Sequence, residues 1–292
     1  MAAESINYAQ YAGIHSVAAA VIFLIAYVPL AILYIIYSIR RPTYVLIVLA
    51  LFCIIRITAF SIRAAMAAST SAGESEGLLV AEEILYNAGF FGVLYSAYTL
   101  VLDRDQLTGR LGETQGLLTL LARITSNRHV IRLTLSVAVA LGITGATKMV
   151  SSNSSDVSTG ESLRRASVYI FLVVTAVLVL RTLILAMHQG ASRPDNNMEL
   201  GASQRPKGNT TFGARHGIYV LAIITLLLLI REAFYAATTG STNASQQAKG
   251  NNEAYFYPLG ALTEFLAVIL FAVPGLVPSR KELEMQRYAA EK

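Results

Sequence analysis

Tryptophan is absent from the 292 residues, cysteine occurs once, histidine four times and proline seven times. The lone Cys53 excludes an internal disulfide. His15, His129, His188 and His216 fall in loops or at the ends of apolar runs, so no clustered ligand set for a metal hydrolase is visible. No nucleophile–base pair stands out either. The expectation is therefore a chain without a metal or cofactor that is not an enzyme. Charge is also scarce: 14% of residues are charged, against roughly 25% in soluble domains. With a mean hydropathy of +0.54, this excludes a large soluble domain and points to a polytopic membrane protein. The net charge of +5 comes from basic residues scattered among short loops. That placement suits an anionic inner leaflet and argues against nucleic acid as a partner. The first fifteen residues, MAAESINYAQYAGIH, lack Lys and Arg. A cleavable signal would carry a basic start and a shorter apolar core, so the first apolar run is read as a retained span.

Seven apolar segments are long enough to cross a bilayer, at about 16–38, 43–66, 78–102, 130–150, 166–188, 214–237 and 254–277. Backbone groups cannot go unpaired in hydrocarbon, and the runs lack the alternation of barrel strands. The fold class is thus an all-α membrane protein, a seven-transmembrane helix bundle. Loop charge sets the direction. Arg40 and Arg41, then Arg104, Arg110, Arg123, Arg128 and Arg132, then Arg193, Arg205, Lys207 and Arg215, and finally Arg280, Lys281, Arg287 and Lys292 all fall on one side. Those fifteen oppose four on the other: Lys148, Arg164, Arg165 and Lys249. The reading is an outer N-terminal segment (1–15), a bundle (16–277) and a cytoplasmic tail (278–292). Sequons at Asn153 (NSS) and Asn243 (NAS) fall in outer loops, where glycosylation is open to them, whereas Asn209 (NTT) falls inside.

Without Trp, an interfacial aromatic belt must use Tyr. Tyr34, Tyr37 and Tyr44 flank the first inner loop, and Tyr255 and Tyr257 open span seven. Within the second inner loop, residues 113–125 place Leu117, Leu121 and Ile124 on one helical face. This suits a short interfacial helix or an extension of span four. A parallel repeat is also expected. "LFCIIRITAFSIRAA" resembles "TLLLLIREAFYAATT", aligning Arg56 with Arg231. The distance from Arg56 to Arg104 nearly equals that from Arg231 to Arg280. Spans one to three and five to seven would then be equivalent, with span four as linker.

The residues that stand out are charges inside the spans: Arg56, Arg63, Glu82, Glu83, Arg181, Arg231, Glu232 and Glu264. Each unpaired charge at mid-membrane costs about 2.5–3.5 kcal/mol on insertion scales. Arg56 and Arg63 lie seven apart on one helical face. Their depths favour pairing of Arg63 with Glu82 or Glu83, and of Arg231 or Arg56 with Glu264. Adjacent residues on a helix diverge by about 100°, so Arg231 and Glu232 are not expected to face the same way. Glu232 and Glu83 are candidates for snorkelling, and Arg181 has no evident partner. Two explanations compete: ion pairs that set helix register, or a polar cavity for a ligand, ion or proton.

The seven spans, the Arg-containing apolar helices two and six, and "NEAYFYPLGALTEFLAVIL" (252–270) resemble an uncharacterised group of fungal seven-helix integral membrane proteins. That group is distantly similar to the fungal lipid-translocating exporter family, associated with resistance to sterol amines. The resemblance implies transport or handling of a lipid-like or amphiphilic small molecule. A receptor-like sensor is the second reading, because "LDRD" (Asp103, Arg104, Asp105) resembles the Asp-Arg-Tyr motif of rhodopsin-like receptors. The Tyr of that motif and an Asn-Pro-x-x-Tyr sequence are both missing, and span seven has no Lys for a retinal Schiff base. A structural or partner-binding membrane protein without a ligand is the third.

Overall fold

The computed structural model describes residues 7–108, 127–149, 151, 153–191, 212–239, 250 and 252–278. Among them there is no strand. Seven helices are long and apolar enough to cross a membrane. They are α1 (Val17–Arg40), α2 (Tyr44–Ala68), α3 (Glu76–Thr108), α4 (Arg128–Met149), α5 (Ser154–Ala191), α6 (Phe212–Thr238) and α7 (Glu253–Phe271). Two single-turn helices, Tyr8–Tyr11 and Thr70–Gly73, sit at the end of the bundle where α1, α3, α5 and α7 begin. This end is called the N-terminal face below, and the other end the opposite face. The interfacial helix expected at 113–125, Asn209, Asn243, and residues 279–292 of the tail lie outside the described residues.

Local chemistry sets the helix starts. Ser16 caps α1 by accepting from the Ala19 amide, and Thr43, after Pro42, does the same for Leu46 at the head of α2. The helix α5 begins twelve residues earlier than the apolar run at 166–188 suggests. The polar stretch before that run is helical because Asn153 caps it, accepting from Ser155 N at 3.2 Å. Further along, Lys148 bonds Asp156 at 2.8 Å and Glu161 pairs with Arg165 four residues on. Gly145 and Gly160 let α4 and α5 approach backbone to backbone: a Cβ on Gly160 would lie 2.8 Å from Gly145 O.

Helix α7 stops at Phe271, short of 277, where a turn through Pro274 and Gly275 (φ 83°) closes it. Its middle, Phe256–Leu262, is a π-helix. Pro258 accounts for the widening, since it offers no amide to the ladder and its ring would clash with the carbonyl four residues back.

Successive helices pack in order around α3, which contacts α2, α4, α5 and α6. Residues 92–102 of α3 are buried on every side, as expected of an all-round apolar helix enclosed by neighbours. The outer helices instead turn large apolar side chains outward, such as Ile22 and Ile39 on α1, Leu133 on α4, and Val173 and Met187 on α5. A belt of that extent belongs in hydrocarbon. Lipid supplies no hydrophobic force between helices, so close packing and hydrogen bonds must hold them. Phe23 stacks on Phe60 and on Tyr257, and Phe265 meets Tyr27 edge-on, locking α1, α2 and α7 together. Tyr34 is fully buried and donates to Val268 O at 2.5 Å. Of the Tyr belt, Tyr37, Tyr44 and Tyr255 are exposed, whereas Tyr34 and Tyr257 are core residues. The N-terminal segment folds onto the bundle, with Ala9 and Ile14 packed against Met66.

Candidate functional site

Four charged side chains from three helices form a chain in the bundle interior. Arg56 on α2 makes a two-pronged contact with Glu264 on α7, Nε to Oε1 and NH2 to Oε2, the latter at 2.8 Å. Arg231 on α6 places Nε 2.6 Å from Glu264 Oε2, and its NH1 donates to Glu232 Oε1. The Arg231 Nε–H does not point along the line to Glu264, so that link is a charge contact and not a directed hydrogen bond. All four side chains are at most 4% exposed. Two cations and two anions alternate, so the unit is neutral, which is how groups that cannot be solvated are held in a dry interior.

The surroundings are built for guanidinium groups. Arg56 also donates to the carbonyls of Leu85 (3.2 Å) and Tyr86 (3.0 Å) on α3, and it lies 4.2 Å from the centre of the Tyr86 ring. Space for it exists because residue 89 is glycine: a Cβ there would be 3.1 Å from Arg56 NH1. Arg231 lies 4.0 Å above the Phe90 ring. The expectation that Arg231 and Glu232 diverge is corrected here. The long Arg231 side chain curls back to its neighbour, and both are buried. Glu232 therefore does not snorkel.

Closer to the N-terminal face, Arg63 NH1 donates to Glu82 at 3.0 Å, and the guanidinium sits 4.1 Å above the Phe256 ring. Its NH2 lies 4.0 Å from Glu253, a residue outside the set of charges singled out from the spans. Glu253 also accepts from the amides of His15 (3.1 Å) and Ser16 (3.0 Å), placing a carboxylate at the start of α1 where the helix dipole favours one. Glu83 turns away from this group and meets Arg164 on α5 at 2.5 Å, half-buried. Asn153 is exposed, its side chain engaged as the α5 cap.

A cavity of about 610 Å³ opens at the N-terminal face between α3, α4, α5 and α6. Its lining is mixed: Arg63, Glu76, Glu82, Glu83, Glu161, Arg164 and Arg231 are charged, and Leu79, Val80, Ala146, Met149 and Val168 are apolar. Arg56, Glu232 and Glu264 do not line it; the cavity reaches the charge chain through Arg231 alone. Several buried donors around it, Arg63 Nε, Tyr86 Oη and Tyr235 Oη, have no partner among the described residues. Among the described residues, no group of three or more His, Cys, Asp or Glu could hold a metal.

The opposite face is tied separately. Arg181, for which the sequence suggested no partner, is paired with Asp105 at the end of α3; its Nε donates to Oδ2 at 3.0 Å. Asp105 lay past the end of the apolar run at 78–102, yet α3 continues to Thr108 and carries it inward. Asp103 contacts Arg128 on α4, and Arg104 donates to Gly213 O on α6 at 2.8 Å. Three consecutive residues of "LDRD" thus hold α3 to three different helices.

These features define a multi-pass, seven-helix membrane protein with buried ion pairs inside a largely apolar core. The chain belongs to the family of a domain of unknown function, DUF7702, whose model matches residues 10–281. No curated protein and no solved structure matches it.

Proposed function

We propose that the protein binds and carries a lipid-like or amphiphilic small molecule through this cavity, with the N-terminal segment outside and the tail in the cytoplasm. The observation that carries the reading is a cavity whose lining mixes apolar side chains with charged ones and includes buried Arg231. Its size, about 610 Å³, suits a small ligand. An amphiphile needs both kinds of lining, whereas helix register needs the ion pairs but no open space beside them. The orientation rests on the fifteen-to-four bias of loop Lys and Arg.

The test is flux of labelled lipids and amphiphiles in vesicles holding the purified protein, compared with empty vesicles. Ala146→Phe, which adds a ring at the cavity lining, is expected to abolish any flux that the protein supports. Rates equal to empty vesicles across the panel would leave a structural or partner-binding role.

One observation favours a second reading as a sensor. Asp103, Arg104 and Asp105 join the inner end of α3 to α4, α6 and α5, and the other end of α3 lines the cavity. A ligand moving α3 would be felt at that junction. Ligand-dependent nucleotide exchange on a co-expressed G protein would support it.

A further inference from the structure

The charge chain can change its charge in one direction only. Arg56 and Arg231 keep their protons in a folded protein, so the neutral unit can gain a proton on a carboxylate but cannot lose one. The two carboxylates are not equivalent. Glu264 is held by both arginines, and protonating it would leave Arg56 buried without a counter-charge. Glu232 is the end of the chain, held by Arg231, which would keep Glu264 if Glu232 were neutralised. The ionised groups acting on Glu232 are Arg231 on its own helix and Glu264 on α7; α3 and α5, which also pack on α6, set none against it among the described residues. Arg231 is also the one member of the chain that lines the cavity.

Resting on the cavity reading above, we propose that Arg231 anchors an anionic headgroup and that Glu232 is its proton-linked stand-in, so that the anion and one proton enter together. The balance is simple. The Glu232 carboxylate takes one proton and becomes a neutral acid, its charge pairing with Arg231 ends, and the sulfonate, carboxylate or phosphate oxygen of the ligand accepts from the Arg231 guanidinium where it lines the cavity. One positive and one negative charge arrive, and the buried unit stays neutral. An anion without the proton would leave one uncompensated negative charge in a dry site, which is costly. A cationic headgroup at the same place would leave a positive charge that no group of the chain can shed. The site thus selects the sign of its ligand through the single charge change open to it.

The test uses the full-length protein in lightly buffered lipid nanodiscs, with empty nanodiscs subtracted. Three probes with one tail are compared: decanesulfonate and decyltrimethylammonium, whose charges do not change with pH, and decanol. Decanesulfonate is expected to bind with uptake of about one proton, read by a pH-indicator dye. Its affinity should rise about tenfold for each unit of falling pH while Glu232 is ionised in the free protein. Glu232→Gln should bind the anion with no proton uptake and no pH dependence, and Arg231→Gln should lose the anion while keeping decanol. Anion binding by the wild-type protein without proton uptake overturns the proposal, and that measurement needs no variant. Binding of decanol or the ammonium compound but not the sulfonate overturns it while leaving the cavity reading in place. No binding of any probe beyond empty nanodiscs removes both.

Discussion

Replacing Glu264 by Gln keeps the shape of the side chain and removes the one carboxylate that two arginines share. Arg56 would then retain two α3 carbonyls but no counter-charge, at 0% exposure. Removing one partner from a buried ion pair costs about 3–5 kcal/mol, so Glu264→Gln is expected to destabilise the fold by that amount. What distinguishes a chain from an ordinary pair is the rescue. A simple Arg231–Glu264 pair would be rescued by neutralising Arg231. Here, Arg231→Gln in the Glu264→Gln background leaves Arg56 without an anion and Glu232 without a cation, and it should restore nothing. Arg56→Gln in the same background leaves the Arg231–Glu232 contact whole and every remaining charge paired. It should recover most of the loss, to within about 1–2 kcal/mol of wild type, the residue being imperfect hydrogen bonds among neutral groups. Cys53 makes the measurement direct. It is the only cysteine, is fully buried, and lies one turn before Arg56 on α2. Its labelling by a thiol-reactive dye in detergent reports opening, and 3–5 kcal/mol corresponds to roughly 10²–10⁴-fold faster modification. Equal rescue by Arg231→Gln and Arg56→Gln would refute the argument, since only the net charge would then matter.

Three further outcomes follow from contacts elsewhere. Glu253→Gln weakens the cap on α1 and should speed hydrogen exchange at the His15 and Ser16 amides, with about 1–2 kcal/mol lost in global stability; unchanged exchange would contradict the cap. At Gly217, an added Cβ would lie 2.0 Å from Arg104 NH2, so Gly217→Ala should cost about 1–2 kcal/mol in the wild type. It should be neutral or stabilising when Arg104 is already Ala, because Ala then expresses its helix preference of about 1 kcal/mol; additive effects in the double-mutant cycle would sink this. Asp105→Asn removes the carboxylate that Arg181 contacts and should cost up to about 3–5 kcal/mol, while Asp105→Leu with Arg181→Met should lie near wild type in thermal unfolding.

How much of the site was legible in the sequence can be followed residue by residue. The spacing of Arg56 and Arg63 placed both on one face of α2, and depth along the spans brought Arg63 toward Glu82 or Glu83 and one central arginine, Arg231 or Arg56, toward Glu264. Such estimates work because a helix advances by a fixed rise per residue. Glu253 was missed since it precedes the apolar run of α7, and Asp105, named only within its motif, was missed as the partner of Arg181 since it follows the apolar run of α3. Hydropathy marks where hydrocarbon ends, but these helices continue beyond it. The contact between Arg231 and Glu232 was misjudged for a different reason: backbone direction separates neighbours by a wide angle, but a long guanidinium side chain can bend back across it.

By itself, then, the sequence determined that seven helices cross a membrane and that their buried charges must find partners. Length, hydropathy and the cost of an unsatisfied group in hydrocarbon are properties of each segment and need no knowledge of its neighbours. Only the tertiary structure decided that one carboxylate serves two arginines, that a π-helical turn precedes it, and that a cavity ends at Arg231. Those depend on side-chain conformers and on how close helices approach, which packing of the whole bundle settles at once.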